Sequence, residues 1–544
     1  MKRSLVMGIT TDKVDIRKIA RGENVGWSDP YIDVAGFFDR ILDGYEDGTG
    51  PAQLEADRDT ARSLIPVGTA AYRDFSYLAP EIPRFKHENC VGCMTCVIEC
   101  PDTAILGKVV EEETLEARLG AIENPDERAF MQNQFAETTK YYGRYQKKGE
   151  PGGLFGIFID PTKCKGCAEC VEACADLGYN ALEMIEKQDE TVPIYQKSIS
   201  FFRSLPETPE SYIQDRVLAD MMLAEKSLLF VGGAGSCAGC GEATALRMML
   251  AATGFQHGRE NIGLVAATGC NTVYGSTYPY NPYLVPWMNS LFENAATVAM
   301  GVRAAWDQRG WQEKRLWAIG GDGAMYDIGF QALSRMLASG MDIKVFILDT
   351  QVYSNTGGQT STASFHGQSA KMSVHGSAVA GKQEQRKEIA RILMMHPNTY
   401  VAQTTAAHIN HFYRAVMDAN SFPGPAVIIA YTTCQPEHGV ADDVSRRQAK
   451  LAVDSRAFPL LVYDPRNGDT IRERLSLRGN PAMRADWYTV PKTNKEINFY
   501  TFARSEGRFA RQFDKDGNPS ETLQTTQADR LANWHLLQEL AGLR

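Results

Sequence analysis

Eight of the twelve cysteines in this 544-residue chain fall into two runs of one spacing, Cys90-x2-Cys93-x2-Cys96-x3-Cys100-Pro101 and Cys164-x2-Cys167-x2-Cys170-x3-Cys174-Ala175. Nothing else in the sequence restricts the fold so tightly. Three cysteines so spaced sit on one tight loop and supply three corners of a tetrahedron. The fourth opens a helix that points away, so it ligates the neighbouring cluster. The spacing assigns Cys90, Cys93, Cys96 and Cys174 to one [4Fe–4S] cluster, and Cys100, Cys164, Cys167 and Cys170 to a second. Two structural zinc sites are the competing reading, because C-x2-C is also a zinc spacing. Zinc takes its ligands as two pairs, which leaves the third and fourth cysteines of each run without a purpose.

Residues 86–200 are accordingly expected to form an α+β, bacterial-ferredoxin-like domain with two clusters. Two departures from a minimal ferredoxin stand out: Ala175 replaces a proline, and the stretch from Pro101 to Lys163 is far longer than such a domain needs. Within it, Glu111 to Gln146 reads as a helical pair, an insertion at about residues 105–150. Residues 1–85 and 453–544 carry no recognisable chemistry. They read as interface segments that pack on a partner, the second ending in a helix over Asp529–Leu543.

The other four cysteines are Cys237, Cys240, Cys270 and Cys434. Cys237-Ala-Gly-Cys240 follows the apolar run Ser227–Val231, Cys270 follows the strand-like run Ile262–Thr268, and Cys434 follows Ala426–Tyr431. In an open parallel sheet the carboxyl ends of the strands lie along one edge. Three separate segments could thus bring four thiolates together as a third [4Fe–4S] cluster, the alternative being buried free cysteines.

A second motif concerns phosphate. The buried run Arg315–Ile319 leads into Gly320-Gly321-Asp322-Gly323-Ala324. A helix with Ile328, Ala332, Leu333 and Met336 on one face follows, closed by Gly340. The run Ile343–Leu348 then leads into Asp349-Thr350-Gln351-Val352-Tyr353-Ser354-Asn355. This is one right-handed βαβ unit. Glycines at the turn let backbone N–H groups close on a diphosphate at a helix N-terminus. Magnesium wants oxygen ligands, one or two of them protein carboxylates. Asp322 supplies a carboxylate, Thr350 a hydroxyl and Val352 a carbonyl. The region 201–452 is expected to be an α/β domain with an open, mostly parallel sheet and helices on both faces.

Taken together, these motifs resemble the carboxyl-terminal part of the pyruvate:ferredoxin oxidoreductases, within the thiamine diphosphate-dependent 2-oxoacid:ferredoxin oxidoreductases. The resemblance runs from about Lys86 to about Arg466. It includes the two cysteine runs, Ser236–Glu242, Gly269–Gly275, Trp287–Glu293, Gly320–Gly329, Asp349–Gln359 and Tyr431–Cys434. It implies that Cys237, Cys240, Cys270 and Cys434 hold a proximal cluster. It further implies that Gly321, Asp322, Gly323, Ala324, Thr350 and Val352 bind thiamine diphosphate and Mg2+. Asn355 then lies close to the reacting thiazolium, and Glu242 lines the cofactor pocket. The activating glutamate of this superfamily sits on a separate pyrimidine-binding domain, and only one diphosphate-binding region is recognisable here. The implied partners are therefore a second subunit bearing that domain, in a dimer of heterodimers or larger, and ferredoxin or flavodoxin as acceptor. The implied reaction is CoA-dependent oxidative decarboxylation of pyruvate to acetyl-CoA and CO2. A 2-oxoglutarate enzyme making succinyl-CoA is the nearest alternative, and an electron-transfer subunit without a catalytic role a more remote one.

Composition agrees with this class and excludes others. With 57 basic and 66 acidic side chains the net charge is −9, which gives no electrostatic reason to expect nucleic acid or an anionic membrane as partner. No apolar run approaches the roughly 18 residues of a membrane helix, and the apolar stretch after Met1-Lys2-Arg3 is broken too early for a signal peptide. A reducing cytoplasm is the expected compartment, where cysteines serve as ligands rather than disulfides. None of the nine histidines falls in a motif.

Overall fold

The protein is represented by a computed structural model that describes residues 37–50, 61, 64–376 and 379–544. Much of the expected N-terminal interface segment, residues 1–36, 51–60 and 62–63, lies outside the described residues. The chain divides into two compact units, Met1–Ala238 with Tyr274–Val285, and Gly239–Val273 with Pro286–Arg544.

In the first unit, β1 (Glu81–Phe85) pairs antiparallel with β5 (Leu182–Glu186), and β2 (Ile105–Glu111) pairs with β4 (Gly153–Ile159), which also takes β3 (Phe135–Ala136). One cysteine run connects β1 to β2 and the other connects β4 to β5. The two runs share a backbone shape: Gly92 and Gly166 have φ of 73° and 69°, and Met94 and Ala168 both have φ of 64°. A left-handed residue two positions after the first cysteine turns the loop back on itself, and only glycine does so without strain. Short helices, Thr95–Glu99 and Glu169–Asp176, start at once after the second left-handed residue. The expected insertion holds a helical pair, Glu112–Gly120 and Pro125–Gln132, the latter capped by the Asn124 side chain. Leu115, Leu119 and Met131 anchor it on Phe158 and Phe202.

The run Ser227–Val231 differs from expectation. It forms no strand, only a bridge between Phe230 and Tyr283, with Val231 N–H on Pro282 O at 2.8 Å. Pro282 lacks the N–H that a continuing ladder would need. The contacts of residues 201–238 and 274–285 lie with the first unit, although the sequence groups them with the diphosphate region.

The second unit is built on an eight-stranded sheet. Its strands are β6 (Ile262–Ala267), β7 (Trp287–Ser290), β8 (Arg315–Gly321), β9 (Lys344–Asp349), β12 (Tyr400–Thr405), β13 (Ala426–Tyr431), β14 (Leu461–Tyr463) and β15 (Leu475–Ser476). A two-residue pair, β10 (Val374–His375) and β11 (Ala380–Gly381), stands apart from it. The order is β15-β14-β12-β13-β9-β8-β6-β7, with the six strands from β12 to β7 parallel and β14 and β15 antiparallel. Every residue of β6, β9, β12 and β13 is buried, as parallel strands covered on both faces require. One face, with Val265, Ala318, Val345 and Val427, packs on the helices Ala295–Gln308 and Phe330–Ala338 through Ala299, Leu333 and Met336. The other presents Trp317 and Phe346, the latter edge-on to Phe412 of the helix Ile409–Ser421.

Residues 453–544 also depart from expectation. Rather than standing apart for a partner, they add β14 and β15 to the sheet, and Phe458, Phe499, Phe502, Phe509, Leu523, Trp534 and Leu537 join the core of this unit. The closing helix is longer than expected, spanning Glu521–Leu540.

Candidate functional site

The register of the second unit's sheet brings the ends of β6, β8 and β9 together, as Ala266 pairs with Ile319 and Gly321 with Leu348. Beyond these ends lies a cavity of about 280 Å³ lined by Glu242, Cys270, Asn271, Gly321 to Ala324, and the loop Thr350 to Thr356. Ligands of open α/β sheets bind at this carboxyl edge.

Asp322 sits at the turn after β8 and is 1% exposed. Thr350 Oγ1 donates within one shared group of oxygens, 3.1 Å from Asp322 Oδ1, 3.0 Å from the Val352 carbonyl and 2.8 Å from Ser354 Oγ. Ser361 Oγ donates to the other oxygen of Asp322. Burial, aided by the nearby Asp349 carboxylate, pushes Asp322 up to about 7, against the pull of the two hydroxyl donors. A carboxylate, a hydroxyl and a carbonyl oxygen within this radius make a hard-oxygen set that suits Mg2+ and would relieve the buried charge. The buried Oδ1 of Asn271, in the cavity wall, has no hydrogen-bond partner among the described residues, so a polar ligand has a group to meet there. Gly323 admits close approach: a Cβ there would lie 2.6 Å from the Tyr353 ring.

Glu242 is buried in the first turn of the helix Gly241–His257, where a carboxylate is favoured by the helix dipole. Asn355 is exposed at the cavity mouth. Ile328, expected on the buried face of the following helix, is 61% exposed and lines the cavity instead. The turn Gly323–Ile328 is a π-helical one and ends at Gly329, so the α-helix starts only at Phe330 and its register is shifted.

Of the four cysteines outside the runs, three belong to the second unit. Cys270 lines the cavity. Burial pushes the Cys434 thiol up to about 11, with the Ser354 hydroxyl as its partner and the Glu242 and Glu437 carboxylates close by. Cys240 caps the Gly241–His257 helix, and the preceding Gly239 carbonyl accepts from Gln435 Nε2 and from Ser445 Oγ, tying Cys240 to the Cys434 turn. Cys237 is exposed and belongs to the first unit.

In the first unit, Cys90, Cys93, Cys96 and Cys174 line one small cavity together with Phe85, Met94 and Phe155. Charge interactions run between the two cysteine runs, including one from Cys96 to Cys170. Cys174 acts on Cys90 and Cys96, whereas Cys100 acts on Cys164, Cys167 and Cys170. Burial pushes the thiols of Cys90 and Cys164 up to about 12 and those of Cys96, Cys167 and Cys170 well above their ordinary value. Backbone N–H groups already point at sulfur: Gly92 at Cys90 (3.4 Å), Ala104 at Cys100 (3.3 Å) and Ala181 at Cys174 (3.2 Å). Crowded, buried sulfurs with N–H donors suit thiolates held by an iron–sulfur cube. Among the described residues no three His, Cys, Asp or Glu could hold a single metal ion; a cube keeps its four sulfurs further apart than one ion does.

A polar layer under the Thr350 turn escapes any reading of the sequence. His438 Nε2 meets the Thr350 carbonyl at 2.8 Å, and Arg508 reaches Gln351 Oε1 at 2.8 Å while pairing with Glu506. Glu506 also accepts from Tyr431 and Gln448. Gln351 has φ of 57°, a conformation rare outside glycine. The partners lie 88 and 158 residues from Thr350 in sequence, and no local motif announces them.

Residues 267–430 match the family described as thiamine pyrophosphate enzyme, C-terminal TPP binding domain. Among curated proteins, the chain is 28% identical over 546 residues to the probable pyruvate-flavodoxin oxidoreductase of Escherichia coli (strain K12), covering 88% of this chain and 43% of that protein. It is 28% identical over 494 residues to the pyruvate:ferredoxin oxidoreductase of Moorella thermoacetica, covering 76% of this chain and 39% of that one. The chain thus spans less than half the length of these relatives. A solved 2-oxoglutarate:ferredoxin oxidoreductase from Magnetococcus marinus aligns over 37% of this chain and 64% of its own, at 21% identity and a TM-score of 0.33. Residues 267–430 thus carry a thiamine pyrophosphate-binding domain of an enzyme, and most of the chain, its two cysteine runs and its Gly-Asp-Gly turn included, is similar to pyruvate:ferredoxin and pyruvate-flavodoxin oxidoreductases.

Proposed function

We propose that the chain is the cofactor- and cluster-binding subunit of a pyruvate:ferredoxin or pyruvate:flavodoxin oxidoreductase. The reaction is pyruvate, CoA and two oxidised one-electron acceptors going to acetyl-CoA, CO2, a proton and two reduced acceptors. The observation that carries this reading is the oxygen set of Asp322, Thr350 and the Val352 carbonyl, which opens on a cavity also lined by Glu242, Asn355 and Cys270. Pyruvate is favoured because the curated relatives cited above are named for it.

Bound thiamine diphosphate supplies the means to cleave the carbon–carbon bond beside a keto group. The residues supply the rest. Asp322, Thr350 and the Val352 carbonyl hold Mg2+, and the backbone of Gly321, Gly323 and Ala324 cradles the diphosphate. Glu242 lines the inner wall, and Asn355 stands at the mouth beside the substrate. Cys237, Cys240, Cys270 and Cys434 hold a proximal [4Fe–4S] cluster. Two more are held by Cys90, Cys93, Cys96 and Cys174, and by Cys100, Cys164, Cys167 and Cys170, in a ferredoxin-like arrangement. The activating glutamate and most recognition of the 2-oxoacid and CoA come from a partner subunit with a pyrimidine-binding domain. Met288, Leu291, Phe292 and Ile328, exposed by 37 to 61%, give that partner an apolar face by the cavity. No helix among the described residues is long and apolar enough to cross a membrane, which suits a cytoplasmic enzyme.

The test is viologen reduction by the complex purified without oxygen, with pyruvate and 2-oxoglutarate compared at equal concentration, each with and without CoA. A CoA-dependent rate at least about tenfold faster with pyruvate, about 1.4 kcal/mol at the transition state, is expected. No reduction with either acid, despite full iron and bound cofactor, overturns the proposal.

A further inference from the structure

Lys165 follows the first cysteine of the second run, yet its side chain is 6% exposed. Its ammonium meets four acceptors: Asp102 Oδ1 at 2.6 Å, the Ala234 carbonyl at 2.9 Å, the Ser236 carbonyl at 2.7 Å and Ser236 Oγ at 2.9 Å. Ser236 Oγ also approaches Asp102 Oδ1, at 3.1 Å. Next along the chain, Thr103 Oγ1 donates to the Phe230 carbonyl at 2.7 Å. All of these residues lie in the first unit.

The positions of these groups in the sequence give the cluster its meaning. Lys165 is bonded to Cys164, Asp102 stands two residues after Cys100, and Ser236 immediately precedes Cys237. One buried ion pair thus joins both stretches that carry the Cys100, Cys164, Cys167 and Cys170 set to the stretch that carries Cys237. A buried ammonium is costly unless paired and fully hydrogen-bonded, and here it is both. The Asp102 carboxylate in turn acts electrostatically on the sulfurs of Cys164 and Cys167. It would oppose the added negative charge of a reduced cluster there, and Lys165 offsets it.

We infer that Lys165 and Asp102 are positioning residues that fix the Cys237 segment against the Cys100 and Cys164 stretches and set the charge beside the cluster those stretches hold. The inference rests on the cluster assignment of the proposed function. Because the two side chains are opposite in charge, their removal has opposite consequences. Lys165→Met leaves a buried carboxylate beside the cluster without its cation, so the cluster becomes harder to reduce. Asp102→Asn leaves the cation alone, so the cluster becomes easier to reduce. A purely structural role would move the potential in neither variant, or in the same direction in both.

The experiment is EPR-monitored potentiometry on the intact complex, with iron and sulfide measured on the same samples. In Lys165→Met the reduced-to-oxidised ratio of one cluster at fixed potential is expected to fall about tenfold, about 59 mV for a one-electron couple. In Asp102→Asn it should rise, and Lys165→Arg should stay near the parent. Should Lys165→Met lose its iron, the sign of the Asp102→Asn shift decides. Unmoved or same-signed potentials in variants with full iron overturn the inference. A parent complex with no iron–sulfur signals would instead sink the cluster assignment itself.

Discussion

Asp322 combines two properties that seldom coexist, near-complete burial and, in the proposed site, a charge that would hold a cation. Burial and the Asp349 carboxylate raise it to about 7 against the Thr350 and Ser361 hydroxyls, and it makes no ion pair within 4 Å among the described residues, whereas the neighbouring Asp349 has Arg386 as an ion-pair partner. A cation would relieve that buried charge, as the proposed Mg2+ site has it. Replacing it with Asn keeps the shape and one accepting oxygen, turns the other into a donor, and removes the negative charge. We expect Mg2+-dependent binding of thiamine diphosphate to weaken at least about a hundredfold, about 2.8 kcal/mol, measured by equilibrium dialysis. Arg508→Met should weaken it less, by about tenfold, with saturation recovered at high Mg2+. Arg508 donates to the Thr350 carbonyl and to Gln351 Oε1 behind the cavity and so supports Gln351 at its positive φ, a conformation costing about 1 to 3 kcal/mol. If Asp322→Asn bound Mg2+ and cofactor as the parent does, the assigned oxygen set would be wrong.

The start of the helix Ile409–Ser421 carries a pH dependence through His408 at its N-cap and His411 in its first turn. Burial holds the His408 and His411 imidazoles down to about 4, each aided by nearby positive charge. Each Nδ1 faces a threonine hydroxyl at 2.9 Å, Thr405 and Thr404 respectively, and the buried Nε2 of His411 meets no partner among the described residues. An unfolded histidine titrates near 6.5, so between about pH 6.5 and 4 the unfolded chain binds protons that the folded chain refuses. Stability must therefore fall as pH falls through that window. His411→Asn should lose less stability than the parent between pH 7 and pH 5 in denaturant melts; an equal loss would show that His411 does not contribute. The same region shows what a sequence can and cannot disclose. Strands β8, β9 and β13 are legible because parallel strands buried on both faces are continuous apolar runs, bounded here by Gly320, Asp349 and Pro425. Ser227–Val231 reads identically, but whether it pairs depends on Pro282, more than fifty residues away. The Gly-Asp-Gly turn and the cysteine spacings are local, so they can be read. His438, Glu506 and Arg508 are ordinary polar residues until the fold sets them under Thr350. The π-turn that exposes Ile328 leaves no periodic trace.

At the scale of the whole molecule, the last ninety residues change the meaning of the cofactor domain. A sequence without cysteine runs or phosphate motifs there suggests an appendage, but its apolar side chains complete the core behind the catalytic sheet. Trp534 is fully buried, its ring lies 4.2 Å from the Arg456 guanidinium, and its indole N–H donates to the Ala485 carbonyl at 2.9 Å. Arg456 is itself fully buried, at a φ of 61°, and donates to the Pro481, Ala482 and Asp486 carbonyls at 2.8, 3.1 and 3.3 Å. Truncating the ring opens a cavity and removes the aromatic face from a buried cation at one stroke, at a cost of about 3 to 5 kcal/mol for the ring alone. The same tail supplies Glu506 and Arg508 beneath the Thr350 turn, so the damage should not stay local. Trp534→Ala is expected to lower the unfolding midpoint of the second unit and, under mild denaturant, to lose thiamine diphosphate before the clusters proposed for the first unit bleach. A docking surface for another subunit would behave in the opposite way: the variant would keep its stability and cofactor affinity and fail only to assemble. Differential scanning calorimetry with cofactor retention and size-exclusion chromatography on one preparation separates the two, and the burial of Trp534 within its own chain makes the first the expected outcome.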